Sequence, residues 1–304
     1  MERNAIKSYK GMQYELEDTF LKYKKAAALG IGLLLFIGGC QKSGEAEISV
    51  QDYTGQDFHI HSKGYQKETA EIAEAHRDEV EKTVKDYFLD QYRTKVKVHN
   101  IVGGHGFVTV YAESVGNLHF YTSAKIEIDL DKKEVQADAI SSSEWDVKDS
   151  ITSAIYALAF EDEFAALDYY LEKLAEEEPV VGKTQAAVDN TSGMGYQTPY
   201  YAVSLNADWK DDLYSAYLEN PKRSKKDWQE KLEDEEITPK SCDINIRLYM
   251  NKPNTRPDER IYNQVVQDIE DMEELAPGTY TIYLSDNRIN KNLGYNSRKS
   301  TLGR

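Results

Sequence analysis

The sequence predicts an α+β fold: a helix packed on an antiparallel meander, followed by a second, helix-rich α/β half. Three patterns carry this expectation. Apolar residues recur at helical spacing between Lys67 and Tyr92. From Val96 to Ala139 apolar and polar residues alternate, with short turn-forming links between the runs. From Val147 the helical period returns, and two further alternating runs begin at Cys242 and Thr279.

In chain order, Ile72, Ala73, Val80, Val84, Tyr87 and Phe88 form one face of an amphipathic helix over Lys67 to Tyr92, with Glu and Lys on the other. The strands that follow carry Val96 and Val98; Val108, Val110 and Ala112; Phe120, Ala124, Ile126, Ile128 and Leu130; and Val135, Ala137 and Ala139. Links as short as Gly103-Gly104-His105-Gly106 and Asp131-Lys132-Lys133 can join only antiparallel neighbours. Ile151, Ile155 and Leu158 begin a new helix. The stripe Phe164, Leu167, Leu171 and Leu174 is out of phase with it, which places a break near Glu161-Asp162-Glu163. Pro179 closes this half.

The segment from Val181 to Pro199 is punctuated by Gly182, Gly193 and Gly195, as a boundary or exposed excursion would be. Beyond it, Asp208 is placed to cap a helix carrying Leu213, Ala216 and Tyr217, which Pro221 stops. Ser224 with Asp227 resembles a capping box for a helix carrying Trp228 and Leu232. Cys242, Ile244, Ile246, Leu248 and Met250 read as a strand with one buried face. Pro257 suits the first turn of a helix bearing Ile261, Val265, Ile269 and Met272, and Thr279 to Leu284 reads as a strand. Strand, helix and strand in succession allow a parallel pair. The expected organisation is a signal peptide over 1–39, a lipidated Cys40 and tether over 40–66, an α+β half over 67–180, a second α/β half over 181–287, and a frayed basic tail over 288–304.

The chain has 304 residues, enough for a substantial core. Its formal net charge of −16 repels phosphate backbones and argues against nucleic acid as a partner. Two cysteines, Cys40 and Cys242, are too few for a disulfide framework. Ala26 to Gly39 is an uncharged apolar run of 14 residues preceded by Lys22, Lys24 and Lys25. It is shorter than the roughly 20 residues that span a bilayer and matches a secretory h-region. The following Ile37-Gly38-Gly39-Cys40 resembles the bacterial lipobox, which implies that Cys40 receives diacylglycerol and becomes the mature N-terminus. The preceding region is long and carries Glu2, Glu15, Glu17 and Asp18, unlike the short basic leaders usual for such segments. Two or three acyl chains hold a protein durably on a membrane, so the expected location is the outer face of the cytoplasmic membrane.

Catalytic motifs are weak throughout. Gly182-Lys183-Thr184 ends like a phosphate-binding loop, but position 177 is Glu177 where that loop needs glycine, so a helix-start turn is expected. The histidines His59, His61, His76, His99, His105 and His119 cluster in sequence without metal-ligand spacing, and no metal or cofactor is assigned. Asp129-x-Asp131 lacks the glycine of a calcium loop, and Glu161-Asp162-Glu163 suits a helix start. Cys242 alternates with core residues and reads as an inert buried thiol. No nucleophile with its base is recognisable, so no catalytic residue is assigned and a non-enzymatic role is favoured. The distinctive stretch is Gly193 to Tyr201, where Tyr196, Tyr200 and Tyr201 stand beside flexible glycines as a possible recognition loop; covering the core edge is the plainer role for these rings.

Val50 to Gly55, Ala73 to Tyr92, Pro179 to Gly182, Gly193 to Tyr201, Leu248 to Val266 and Ala276 to Tyr280 together resemble the DUF1672 family, uncharacterised lipoproteins of Gram-positive bacteria. The resemblance covers nearly all of the mature chain. It implies a lipid-anchored protein outside the cytoplasmic membrane and supplies no catalytic residues. The expected function is therefore a binding or scaffold module at the cell envelope with an unidentified partner. An envelope hydrolase using dispersed carboxylates, and a solute-binding protein of an importer, rank below it.

Overall fold

Helix α1 (Lys67–Ala75) and helix α2 (Arg77–Tyr92) replace the single helix expected, with His76 leaving helical geometry at φ −112° and ψ 28°. The bend follows from two different attachments. Thr69 Oγ1 at the start of α1 donates to the carbonyl of Gly104 at 3.0 Å, pinning α1 to the first hairpin turn, and α1 crosses the whole sheet, whereas α2 lies mainly against its outer strands β1 (Val96–Gly103) and β4 (Glu134–Ser141). These strands and the intervening β2 (Phe107–Ser114) and β3 (Tyr121–Asp129) form a four-stranded antiparallel sheet in the order β1-β2-β3-β4, the meander that the alternation predicts. Asp129 accepts the N–H groups of Asp131 and Lys132 at 3.1 and 3.0 Å, so Asp129-x-Asp131 builds the β3–β4 turn. The computed structural model describes residues 48–56, 66–253, 255–289 and 297–303. The signal peptide, Cys40, His59 and His61 lie outside the described residues.

Helix α3 (Glu144–Ala159) is capped by Ser143 and ends at Phe160, where α4 (Glu161–Glu177) begins, so the break falls beside the three acidic residues. Two of them, Glu161 and Asp162, lie 3.3 and 3.0 Å from Lys225 Nζ, a structural role at a helix start. Helix α3 is buried along most of its length because its small residues, Ser150, Thr152, Ser153, Ala154 and Ala157, let neighbours approach. It touches β3, the second sheet, and helices α6 (Lys210–Glu219) and α7 (Lys225–Glu233). One hydrophobic core consequently joins Phe88 and Ile126 to Ile151, Trp228 and Ile246, and no break in packing accompanies the boundary expected near 180.

The second sheet runs β10-β9-β8-β7-β6, with β5 pairing the far end of β8. Its strands are β5 (Val180–Val181), β6 (Tyr196–Gln197), β7 (Tyr201–Leu205), β8 (Cys242–Met250), β9 (Thr279–Ser285) and β10 (Ser297–Gly303). Strands β8 and β9 are parallel and are connected through α8 (Glu259–Asp271). The other pairings are antiparallel. Strand β10 corrects the expected frayed tail. Its backbone pairs with β9 throughout, and the Tyr262 hydroxyl donates to Ser300 Oγ at 2.5 Å.

Two caps differ from expectation. Asp208 does not cap α6, whose N-cap is Trp209. Asp258, not Pro257, starts α8 by accepting the N–H groups of Arg260 and Ile261 at 2.8 and 3.2 Å. The capping box of Ser224 and Asp227 is present on α7. Part of the expected tether belongs to the body, because Val50 and Tyr53 bury against Ala187, Tyr249 and Ile289. Asn287 fixes this segment by accepting the Val50 N–H at 3.0 Å and donating to Gln51 Oε1 at 2.7 Å and to the Met250 carbonyl at 2.6 Å.

Replacing Ile151 by alanine removes a wholly buried side chain from the helix that joins both sheets, and urea denaturation should show a loss of about 2 to 5 kcal/mol. Asp258→Ala, which removes only a cap, should cost about 1 kcal/mol. Equal effects would contradict the placement of α3 at the centre of the core.

Candidate functional site

The tyrosine loop is held from two sides at Gly195. Its N–H donates to Ser150 Oγ of α3 at 2.8 Å, and its carbonyl accepts the N–H of Tyr121 on β3 at 2.9 Å. Both bonds are met with φ at +82°, the left-handed region that glycine enters without strain. At the other end of the excursion, the Lys183 N–H donates to the Pro199 carbonyl at 2.9 Å. A Cβ on Gly182 would lie 2.7 Å from that same carbonyl oxygen, so only glycine permits the approach. Thr184 then caps α5 (Gln185–Thr191) by accepting the Ala187 N–H at 3.0 Å. Gly182-Lys183-Thr184 is accordingly a helix-start turn, as the missing glycine at 177 requires.

Between these attachments lies a cavity of about 230 Å³ whose walls include Lys183, Arg247, Asp149, Ser204, Tyr200 and Tyr201. The three tyrosines divide. Tyr200 is half-buried at the cavity, while Tyr201 reaches it from the core, its ring stacked on Phe164 at 5.7 Å. Tyr196 does not line it; its ring packs among Phe164, Tyr201 and His119. Tyr196 and Tyr201 thus pack toward the core, and Tyr200 and Tyr201 border the cavity. Burial pushes the Tyr201 phenol well above its ordinary range, reinforced by Tyr196 and Asp168.

Charges in the cavity are unequal. Asp149 is its one carboxylate among the described residues, and it is wholly buried. Burial raises its pKa, opposed by Ser204 Oγ, which donates to Oδ2 at 3.1 Å, and by Lys210 Nζ, 3.8 Å from Oδ1. Lys183 and Arg247 have no carboxylate within ion-pair distance among the described residues. Burial, and then repulsion from Arg247, lower the Lys183 ammonium to about 8. The guanidinium of Arg247 sits over the Tyr283 ring at 5.9 Å, and its backbone N–H donates to the Tyr200 carbonyl at 2.7 Å.

A second polar cluster lies on the other side of the loop. A β-bulge between Val98 and Asn100 leaves His99 as the extra residue of β1. His99 Nε2 lies 2.8 Å from Glu113 Oε2, and its Nδ1 lies 3.9 Å from Asp189 Oδ2. His119 Nδ1 lies 3.2 Å from the other oxygen of Glu113. Sequence reading missed this grouping because Asp189 comes from α5, far along the chain. The legible part was the hairpin, which brings β1 and β2 side by side; the bulge that turns His99 toward Glu113 leaves no pattern in the residues.

The remaining candidates are structural. Cys242 is a wholly buried free thiol, and burial holds its pKa well above the usual thiol range, so it is not an activated nucleophile. His76 sits at the α1–α2 bend beside Glu79, and His105 is exposed on a turn. No helix among the described residues is long and apolar enough to cross a membrane.

The family model described as a protein of unknown function, DUF1672, matches residues 40–304. The fold is similar to the crystal structure of a DUF1672 family protein from Staphylococcus aureus subsp. aureus Mu50, with a TM-score of 0.67 at 19% identity, covering 85% of this chain and 97% of that one. Comparison with curated proteins finds no match. With the two-sheet α+β architecture and the matched span together, the chain belongs to the DUF1672 family.

Proposed function

We propose that this chain is a lipid-anchored binding module of the cell envelope, held at the outer face of the cytoplasmic membrane through Cys40 and taking a small anion in the cavity beneath the tyrosine loop. One observation carries the binding part: Lys183 and Arg247 face the same cavity with no carboxylate partner among the described residues. Lys183 is desolvated beside Arg247, whose side chain is exposed over the Tyr283 ring, and an anion bearing carboxylate or phosphate oxygens would pair with both. The surrounding charge of −16 is screened over about 8 Å at physiological salt, so the two local cations dominate inside the cavity. The anchor rests on the lipobox-like Ile37-Gly38-Gly39-Cys40 after an apolar run too short to span a bilayer.

Titration of the full chain with inorganic phosphate and with citrate should reveal one saturable site. Arg247→Gln and Lys183→Met should each weaken it at least about tenfold, the scale of one charge-assisted hydrogen bond. Because Lys183 titrates near 8 in the free protein, affinity should fall as pH rises past that value, where the free protein sheds the proton that the bound anion favours. Binding unaffected by either substitution would remove the cavity from consideration.

For the anchor, Cys40→Ser should abolish metabolic labelling with fatty acid and release the chain from membranes into the soluble fraction. Undiminished labelling of the serine variant would refute acylation at this sulfur.

A further inference from the structure

We propose that His99, Glu113, His119 and Asp189 form a binding site for a divalent transition-metal ion of the zinc type. One ligand atom each from His99, Glu113 and Asp189 already lies within 4.8 Å of the other two. Two ligands at about 2.1 Å on a tetrahedral zinc ion stand about 3.4 Å apart, so modest side-chain rotation closes the set. His119 Nδ1, 3.2 Å from Glu113 Oε1, supplies a fourth donor from the loop before β3. Two imidazole nitrogens with two carboxylates match zinc better than magnesium or calcium, which prefer all-oxygen sites.

Charge supports the same assignment. Two carboxylates converge here with no lysine or arginine within ion-pair distance among the described residues, Lys97 standing opposite Glu113 in the β1–β2 register; the groups in contact with them are two imidazoles, a phenol and an amide. His99 is largely shielded from solvent, with 8% of its side chain exposed, and presents a ring nitrogen to each carboxylate. A neutral imidazole carries one N–H and can donate to only one of them. A divalent cation taken by one ring nitrogen of His99 and by His119 would neutralise both carboxylates, while the second nitrogen of His99 keeps its N–H.

The surrounding residues already orient the donors. Tyr121 Oη donates to Asp189 Oδ1 at 2.8 Å, and Gln185 Nε2 donates to the same oxygen at 2.7 Å, which leaves Oδ2 turned toward His99. Partners of this kind fix ligand direction in metal sites. The bulge at His99 serves the same end by re-aiming one side chain out of the ladder. An ion held here would brace α5 against β1 and β2. Through the ring contact of Tyr196 with His119, centroids 5.7 Å apart, it would also abut the tyrosine loop.

The test is calorimetric titration of the full chain, stripped with chelator, with zinc chloride, followed by cobalt substitution and visible absorption. The site predicts one saturable zinc equivalent lost on titration of Glu113→Gln and His119→Ala, with affinity at least about tenfold weaker in each. His105→Ala, an exposed histidine outside the cluster, should leave it unchanged. Cobalt should give the intense visible bands of four-coordinate geometry in the parent and not in either cluster variant. Circular dichroism of the near-isosteric Glu113→Gln separates lost binding from lost folding. If a variant is misfolded, the cobalt spectrum of the folded parent decides the matter, with absence of the four-coordinate bands counting against the site. Absence of stoichiometric zinc uptake, or uptake indifferent to both cluster substitutions, would overturn the proposal.

Discussion

The two hydrogen bonds at Gly195 connect three parts of the molecule that are distant in sequence. Ser150 belongs to the buried helix α3, Tyr121 to the first sheet, and Gly195 to the excursion that leads into the second sheet. Buried backbone groups that lose their partners cost about 1 to 3 kcal/mol each, so the excursion is held where both are met. Strand β7 follows and places Tyr201 against Phe164, while Lys183 is drawn alongside Pro199. The cavity and the histidine–carboxylate cluster both border this one attached segment. Its position therefore decides the geometry of both.

Helix α3 explains why the two sheets cannot be treated separately. Its small side chains allow close approach from several directions, and Gln229 of α7 donates to the Ala159 carbonyl at its C-terminal end at 2.9 Å. That bond satisfies a carbonyl which the helix itself leaves open. Burial of Asp149 on this helix is only partly offset by Ser204 and by the nearby Lys210 ammonium, contacts that tie α3 to β7 and to the start of α6.

Much of this architecture is legible in the residues, and the exceptions have physical causes. The meander follows from the apolar alternation of its strands, which shows as period-two burial in β3, whereas β2 is buried on both faces from Val108 to Ala112. Strand β10 was unreadable because its SRKSTLG segment lacks apolar alternation and is ordered by backbone pairing, for which side chains leave no signature. Cap assignments erred by short distances: Asp258 captured the amides that Pro257 was expected to precede, and Trp209 displaced Asp208. At the candidate sites, Tyr196, Tyr200 and Tyr201 were visible as a group, but only packing shows that Tyr196 and Tyr201 turn toward the core while Tyr200 and Tyr201 border the cavity. Lys183 was hidden beside a helix cap, and Arg247 on a strand. Their convergence exists only because β5 and β7 share the same edge of β8.

The account turns on whether the paired cations of the cavity hold an anion. A crystal of this protein soaked in selenate, with anomalous diffraction recorded at the selenium edge, examines that directly. The expected result is an anomalous peak between Lys183 Nζ and the Arg247 guanidinium, within hydrogen-bonding distance of both. A map with selenate bound elsewhere on the surface, and none in an accessible cavity, would contradict it.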